Sequence, residues 1–244
     1  MLLIARLIIL AVLLFLAFVF VMFFCLLRPM HRNNVHVVAK IFSSVAPVLG
    51  IKVITRVHPV SDMPQPCIYL ANHQNNFDLF THTSAVPKGT VSLGKKSLAW
   101  MPLFGQIYWL SGNILIDRKN RHSAFDTMAK TVEKMKTKLL SVWIFPEGTR
   151  SRGRGLLPFK VGAFHTAIAA QVPVVPVLAS CQNHIKLNRW NNGVVIVEMM
   201  TPMPTEGLTK NDVKAFSAEV HETMSARLVE LNKEALALNQ AVKN

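Results

Sequence analysis

Apolar residues run unbroken from Leu7 to Leu27, "LIILAVLLFLAFVFVMFFCLL", and then give way to short apolar runs separated by mixed segments. At about 1.5 Å per residue, roughly 20 apolar residues cover a hydrocarbon core of about 30 Å, so the first run predicts a membrane-binding helix. A cleaved signal peptide would have an apolar core of about 7–15 residues and a small-x-small cleavage site. This run is longer and is followed by "RPMHRNN". The next segment, "VHVVAKIFSSVAPVLGI" (Val35 to Ile51), is apolar with polar breaks. It predicts a helix that lies on the membrane or packs back on the first. Two geometries stand at this point: one helix across the bilayer, or a two-helix hairpin within one leaflet.

Beyond Lys52 the pattern changes. "KVITRV", "CIYLA", "TVSLG", "GNILID", "LSVWIF", "VPVVPVLAS" and "GVVIVEMM" read as strands, bounded by Pro, Gly and polar residues. "SAFDTMAKTVEKMKTKL" (Ser123 to Leu139) has apolar positions three and four apart, as an amphipathic helix does. "VGAFHTAIAAQ" and the tail from about Thr209 to Leu238 also read as helices, the latter with Thr209 and Asp212 as a capping pair. The prolines of "VPVVPV" (Val172 to Val177) argue for a stiff edge or an apolar wall rather than a regular central strand. Strands alternating with helices predict an α/β fold, a mixed, largely parallel sheet flanked by helices. The expected division is a membrane-binding helical segment over 1–52 and an α/β domain over 53–244.

Composition refines this. Hydrophobic residues make up 51% of the 244 and charged ones 16%, and the mean hydropathy is +0.32. Those values exceed what a wholly water-facing domain carries and fall short of a multi-span protein; they suit a soluble-type domain with one membrane segment. The net charge of +14 calls for an anionic partner. No nucleic-acid-binding signature is present, and beside a membrane segment anionic lipid is the better match. Arg28, Arg32, Lys40 and Lys52 follow the apolar run and only Arg6 precedes it. The positive-inside rule then puts the body of the protein in the cytoplasm. Cys25, Cys67 and Cys181 show no CxxC or Cys/His ligand spacing, so neither a disulfide framework nor a zinc site is indicated.

Candidate chemistry gathers where strands end. "YLANHQNNFDLF" brings His73 to a strand terminus with Asp78 five residues on. A neutral imidazole suits proton transfer near pH 7, and a carboxylate on its second nitrogen fixes the tautomer. The plainer reading is a polar turn, with Asp78 in the first turn of a helix. "WIFPEGTRSRGRG" places Glu147 among Arg150, Arg152 and Arg154, where guanidinium groups bind phosphate and Glu147 orders them or meets a substrate hydroxyl. A solvated basic loop is the competing reading. "GNILIDR" offers an Asp117–Arg118 pair, by default an ion pair of the fold, and "LGKKSL" offers Lys95 and Lys96, by default surface charge.

Together "NHQNNFD", "GNILIDR", "FPEGTR" and "VPVVPV", in that order, resemble the glycerolipid acyltransferases with the His-x4-Asp motif, and within them those that acylate lysophosphatidic acid. The resemblance covers essentially the whole chain. It implies transfer of an acyl chain from acyl carrier protein or coenzyme A to the sn-2 hydroxyl of 1-acyl-sn-glycerol 3-phosphate, giving phosphatidic acid. It implies His73 as base and Asp78 as its partner, with no metal or cofactor required. Glu147 and Gly148 would position the acceptor, and Arg150 and Arg118, assisted by Lys95, would bind its phosphate. Thr149 fits a lysophosphatidate acceptor; relatives acting on glycerol 3-phosphate often carry Gly there. Another acceptor, or a phospholipid-binding protein without activity, are the alternatives. A hydrolase would need a nucleophile elbow, and no G-x-S-x-G is present.

Overall fold

The computed structural model describes residues 1–57, 64–117 and 120–241. Helix α1 (Leu2–Leu27) and helix α2 (Asn34–Ser43) come first, and a 3-10 turn (Ala46–Leu49) leads into strand β1 (Ile51–Arg56). There follow β2 (Ile68–Ala71), the single-turn α3 (Asp78–Thr81), a 3-10 turn (His82–Ala85), β3 (Thr90–Lys95), α4 (Phe104–Leu110), β4 (Ile114–Ile116) and α5 (Arg121–Lys138). β5 (Ser141–Ile144), α6 (Gly162–Ala170), β6 (Val174–Ala179), β7 (Gly193–Met199) and α7 (Val213–Ala241) complete the order.

The seven strands form one sheet in the order β1-β7-β6-β2-β5-β3-β4. Five of them, β6 to β4 in that order, run parallel, and β7 pairs antiparallel with β6 while β1 runs parallel to β7. The sheet is therefore mixed and largely parallel, as expected. Every residue of β2, β5 and β6 is buried, which is why these strands read as unbroken apolar runs: helices cover both faces. α5, α6 and α7 lie together on one face; α2, α3 and the turn at His82 lie on the other. α7 docks through Val213, Phe216, Val220, Met224, Leu228, Leu231 and Ala235, spaced three and four apart. Full burial of each leucine there contributes about 1.5–3 kcal/mol.

Two expectations are corrected. "VPVVPV" is no edge: β6 lies between β2 and β7 and is buried throughout. Val177 pairs with Met199 but Val174 bridges to Met203, so the facing chain carries one extra residue between these pairs. Pro176 sits opposite that bulge, where its missing N–H breaks no ladder bond, and its carbonyl accepts from the Met200 N–H at 2.9 Å. Arg6 is also not a flanking charge. It lies inside α1, is 4% exposed, and donates to the carbonyls of Leu187 (2.9 Å), Arg189 and Trp190 (2.8 Å).

α1 rests on the body along its length. Leu10 packs on the main core, Val21 and Cys25 are buried with Ile107 of α4 and Phe42 of α2, and the Met30 N–H donates to Leu110 O at 2.9 Å. Its other side, from Leu3 and Leu7 through Phe15, Val19 and Phe23 to Leu27, is apolar and exposed. α2 meets α1 through Phe42, buried with Val21 and Cys25, while its Val35 and Ala39 join the main core.

Candidate active site

The carboxyl ends of β6, β2 and β5 are adjacent in the sheet, and the loops that leave them meet. From β2 comes the loop of His73. Its Nδ1 is 2.6 Å from Asp78 Oδ2. That oxygen also accepts the N–H groups of Gln74 (2.7 Å) and Asn75 (3.0 Å), and Oδ1 accepts Gln182 Nε2 at 2.7 Å. Asp78 is thus fixed from four directions. Burial pushes its carboxyl up, but the bond to His73, the two histidines' field and the Asn75 N–H outweigh this and hold it below the ordinary carboxylate range. The His73 ring stacks on Phe145 with centroids 4.2 Å apart, and its side chain stays 21% exposed. With Nδ1 engaged, Nε2 is the nitrogen left for an incoming proton.

The loop after β5 is tied to the loop after β2 by backbone and side chain. Glu147, 3% exposed, accepts the His73 N–H at 2.6 Å on Oε1 and the Leu157 N–H at 2.9 Å on Oε2. Burial raises its carboxyl above the ordinary value against these two bonds. The Ser151 N–H donates to His73 O at 2.7 Å, and the Arg152 N–H to Gln74 O at 3.0 Å. The arginine segment therefore starts beside His73. Arg150 is exposed there, whereas Arg154 turns back on its own loop, onto Ser151 O (2.8 Å) and Arg150 O (3.2 Å). Gly148 has φ +69, and a Cβ on it would meet Lys160 Cε at 2.9 Å, so the Lys160 chain lies over this turn.

The loop after β6 supplies the third wall. Gln74 Nε2 donates to the carbonyls of Ala179 (2.8 Å) and Ser180 (2.9 Å), and Gln74 Oε1 accepts the Gln182 N–H at 3.1 Å. Asn72 pairs with both backbone groups of Ala179. A cleft of about 470 Å³ opens beside these loops, walled by Leu10 of α1, Leu49, Phe80, Gln182, Ile185 and Leu187 among others. A larger groove, about 960 Å³, lies between β7 and α7 at the opposite end of the sheet and holds none of the expected site residues.

His73, Asp78, Glu147, Gly148 and Arg150 are thus brought together. Lys95 ends β3, next to β5 and at the same edge, and is exposed. Arg118 lies outside the described residues; Asp117 before it is 3.9 Å from Lys96 Nζ. Cys67 is fully buried, and burial pushes its thiol up to about 11, so it is no nucleophile. Gln74, Gln182 and Lys160 were not anticipated. Gln74 lies inside the quoted motif, but Gln182 acts across 104 positions of sequence, with no local signal. A second imidazole, His82, is 2% exposed beneath the pair, with Trp143 and Phe145 edge-on at 5.9 and 5.7 Å. Neither of its ring nitrogens makes a well-formed hydrogen bond among the described residues.

Comparison with known proteins places this arrangement. The family described as Acyltransferase matches residues 54–180, which takes in the loops after β2 and β5 and ends as the loop after β6 begins. The chain is 47% identical to the 1-acyl-sn-glycerol-3-phosphate acyltransferase of Escherichia coli (strain K12) over 244 residues, 100% of both chains. It is 35% identical over 203 residues to the human 1-acyl-sn-glycerol-3-phosphate acyltransferase alpha, covering 82% of this chain and 72% of that one. The crystal structure of the 1-acyl-sn-glycerophosphate (LPA) acyltransferase from Thermotoga maritima shares the fold, with TM-score 0.69 at 24% identity over 95% of this chain and 98% of that one. The chain belongs to the acyltransferase family.

Proposed function

We propose that this protein moves an acyl chain from an acyl thioester to the sn-2 hydroxyl of 1-acyl-sn-glycerol 3-phosphate and so forms phosphatidic acid. The observation that carries the reading is the 2.6 Å contact of His73 with Asp78 beside the arginine loop, which is bonded to the His73 carbonyl through Ser151. The names of the relatives agree with the acceptor.

In this reaction His73 Nε2 takes the hydroxyl proton as the oxygen attacks the thioester carbonyl carbon. Asp78 holds the imidazole and stabilises its charged form. The tetrahedral adduct expels a thiolate, which takes the proton back from the imidazolium. A thiol with pKa about 8.5 leaves readily, so no acyl-enzyme is needed. Arg150, with Arg118 and Lys95, binds the acceptor's phosphate, and Glu147 and Gly148 shape the turn that receives it. The donor is acyl carrier protein or coenzyme A.

The membrane reading follows from α1. Its 26 residues are long and apolar enough to cross a bilayer. Spanning about 30 Å would carry one end away from the body, yet contacts at Arg6, Leu10, Val21, Cys25 and Met30 keep both ends on it. This supports a helix lying in one leaflet, its outer apolar face among the acyl chains. Trp190, close to its first turn, and Trp109, on the helix that packs on its far half, are exposed, and tryptophan favours the headgroup level. We assign residues 1–52 to membrane binding and 53–244 to the catalytic domain, and place that domain on the cytoplasmic face of the inner membrane.

The experiment is transfer by purified protein in detergent, with acyl-carrier-protein and coenzyme A donors and lysophosphatidate or glycerol 3-phosphate as acceptor. Wild type should form phosphatidate, His73→Ala should lose at least about 10²–10⁴-fold, and Arg150→Ala should raise the acceptor KM more than the donor KM. Transfer to glycerol 3-phosphate alone would overturn the acceptor; full activity in His73→Ala would overturn the base.

A further inference from the structure

A guanidinium in an apolar helix is costly unless its hydrogen bonds are met inside the protein. Arg6 meets them on backbone: the carbonyls of Leu187, Arg189 and Trp190 converge on its fork, and the Trp190 ring lies 6.0 Å from it. The same stretch is held from a second side. Asn192 Nδ2 donates to Leu49 O (2.7 Å) and Lys186 O (2.9 Å), its Oδ1 accepts the Lys186 N–H (2.8 Å), and its N–H donates to Gly50 O (2.7 Å). Gly50 has φ +71, and a Cβ on it would lie 2.1 Å from Trp190 O, so only glycine lets the two segments approach.

This clamped stretch continues the loop that leaves β6. The Ile185 N–H bonds back to Gln182 O at 3.2 Å, and Gln182 in turn donates its Nε2 to Asp78 Oδ1 and its N–H to Gln74 Oε1. Ile185 and Leu187 also line the 470 Å³ cleft, together with Leu10 of α1 and Phe80. Hydrogen bonds at both ends, joined by the short chain segment 185–187, therefore connect Arg6 of α1 with the carboxylate that orients His73.

We propose that Arg6 is a positioning residue for the transfer reaction: by clamping the 187–190 carbonyls it makes the seat of Gln182 on Asp78 depend on α1 being in place. The kinetic part of this rests on the acyl-transfer reading; the structural part does not. A lysine would be a poor substitute, since its point charge lacks the planar fork that meets several carbonyls at once.

The test uses full-length protein on phosphatidylethanolamine–phosphatidylglycerol vesicles, comparing wild type, Arg6→Met and Arg6→Lys. Backbone hydrogen exchange is read at 187–192, at the Gln182 amide, and at β2 and β5. In Arg6→Met, exchange at 187–192 and at Gln182 should rise at least tenfold, with β2, β5 and the vesicle-bound fraction unchanged within twofold. kcat should fall at least tenfold with both KM values within threefold, and Arg6→Lys should fall between. Faster exchange confined to 187–192 with normal kcat would overturn the proposal, leaving Arg6 a local anchor. Faster exchange everywhere, β2 and β5 included, would overturn it in favour of general stabilisation. If Arg6→Met does not fold, Arg6→Lys carries the same comparison. If wild type transfers no acyl group, the acyl-transfer reading falls, and the exchange at Gln182 still decides the coupling.

Discussion

His82 is the residue whose environment makes the sharpest demand. Burial holds its imidazole below the ordinary value and His73 adds to this, while Asp78 and the Asn72 backbone pull the other way. The folded protein therefore binds this proton less readily than the unfolded chain does. Stability is full above the unfolded value of about 6.5 and declines as pH falls from there towards the folded one, by at most about 1.4 kcal/mol per pH unit for one proton. The charged and titratable groups facing it are Asp78 and His73, and Asp78, held low, adds its own loss only at more acidic pH. Denaturant midpoints at pH 7.5 and 5.5 check this: His82→Leu should flatten the decline. Equal slopes in both proteins would mean that another group titrates. The catalytic candidates were legible through the order of the loop motifs, "NHQNNFD" followed by "FPEGTR", since a His and an Asp at one strand end also read as a polar turn. His82 was not, since a histidine's burial depends on which aromatic rings the fold brings to it.

Among the elements, the loop after β5 does more than present arginines. Glu147 spends both oxygens on backbone N–H groups, one of them that of His73. Glu147→Gln has only one acceptor oxygen, and its NH₂ must face one of those donors. The cost should be about 1–3 kcal/mol of stability, with kcat down roughly 10–100-fold and acceptor KM little changed, as thermal melts and steady-state kinetics would read. A higher acceptor KM with an unaltered melting temperature would instead put Glu147 in contact with the substrate. The strands themselves were readable from β-branched runs cut by Pro and Gly. The centrality of β6 was not, because the bulge that admits Pro176 lies in its partner, at residues 200–202, and no local pattern around "VPVVPV" reports it.

For the molecule as a whole, α1 was readable as apolar and long, and the side it buries was not. Length and hydropathy are the same for a helix that crosses a bilayer and one that lies along a domain. The stripe of Arg6, Leu10, Val21 and Cys25 becomes visible only against the surface it meets. Deleting residues 1–27 should uncover Ile107, Leu110 and Phe80 as well as remove the membrane face. The shortened protein should leave the membrane fraction and aggregate, which sedimentation with and without vesicles would separate. Membrane association undiminished by the deletion would mean that α2 and the basic surface suffice.

A helix held flat against its own domain also sets the dimensionality of the chemistry. With α1 in one leaflet, as proposed, the enzyme would meet its acceptor by lateral diffusion within one sheet of lipid, and the quantity it senses would be the acceptor's mole fraction in that sheet. Adding inert phospholipid at fixed total acceptor should slow turnover in proportion, whereas diluting vesicles and buffer together, with the enzyme still bound, should leave the rate per enzyme nearly constant.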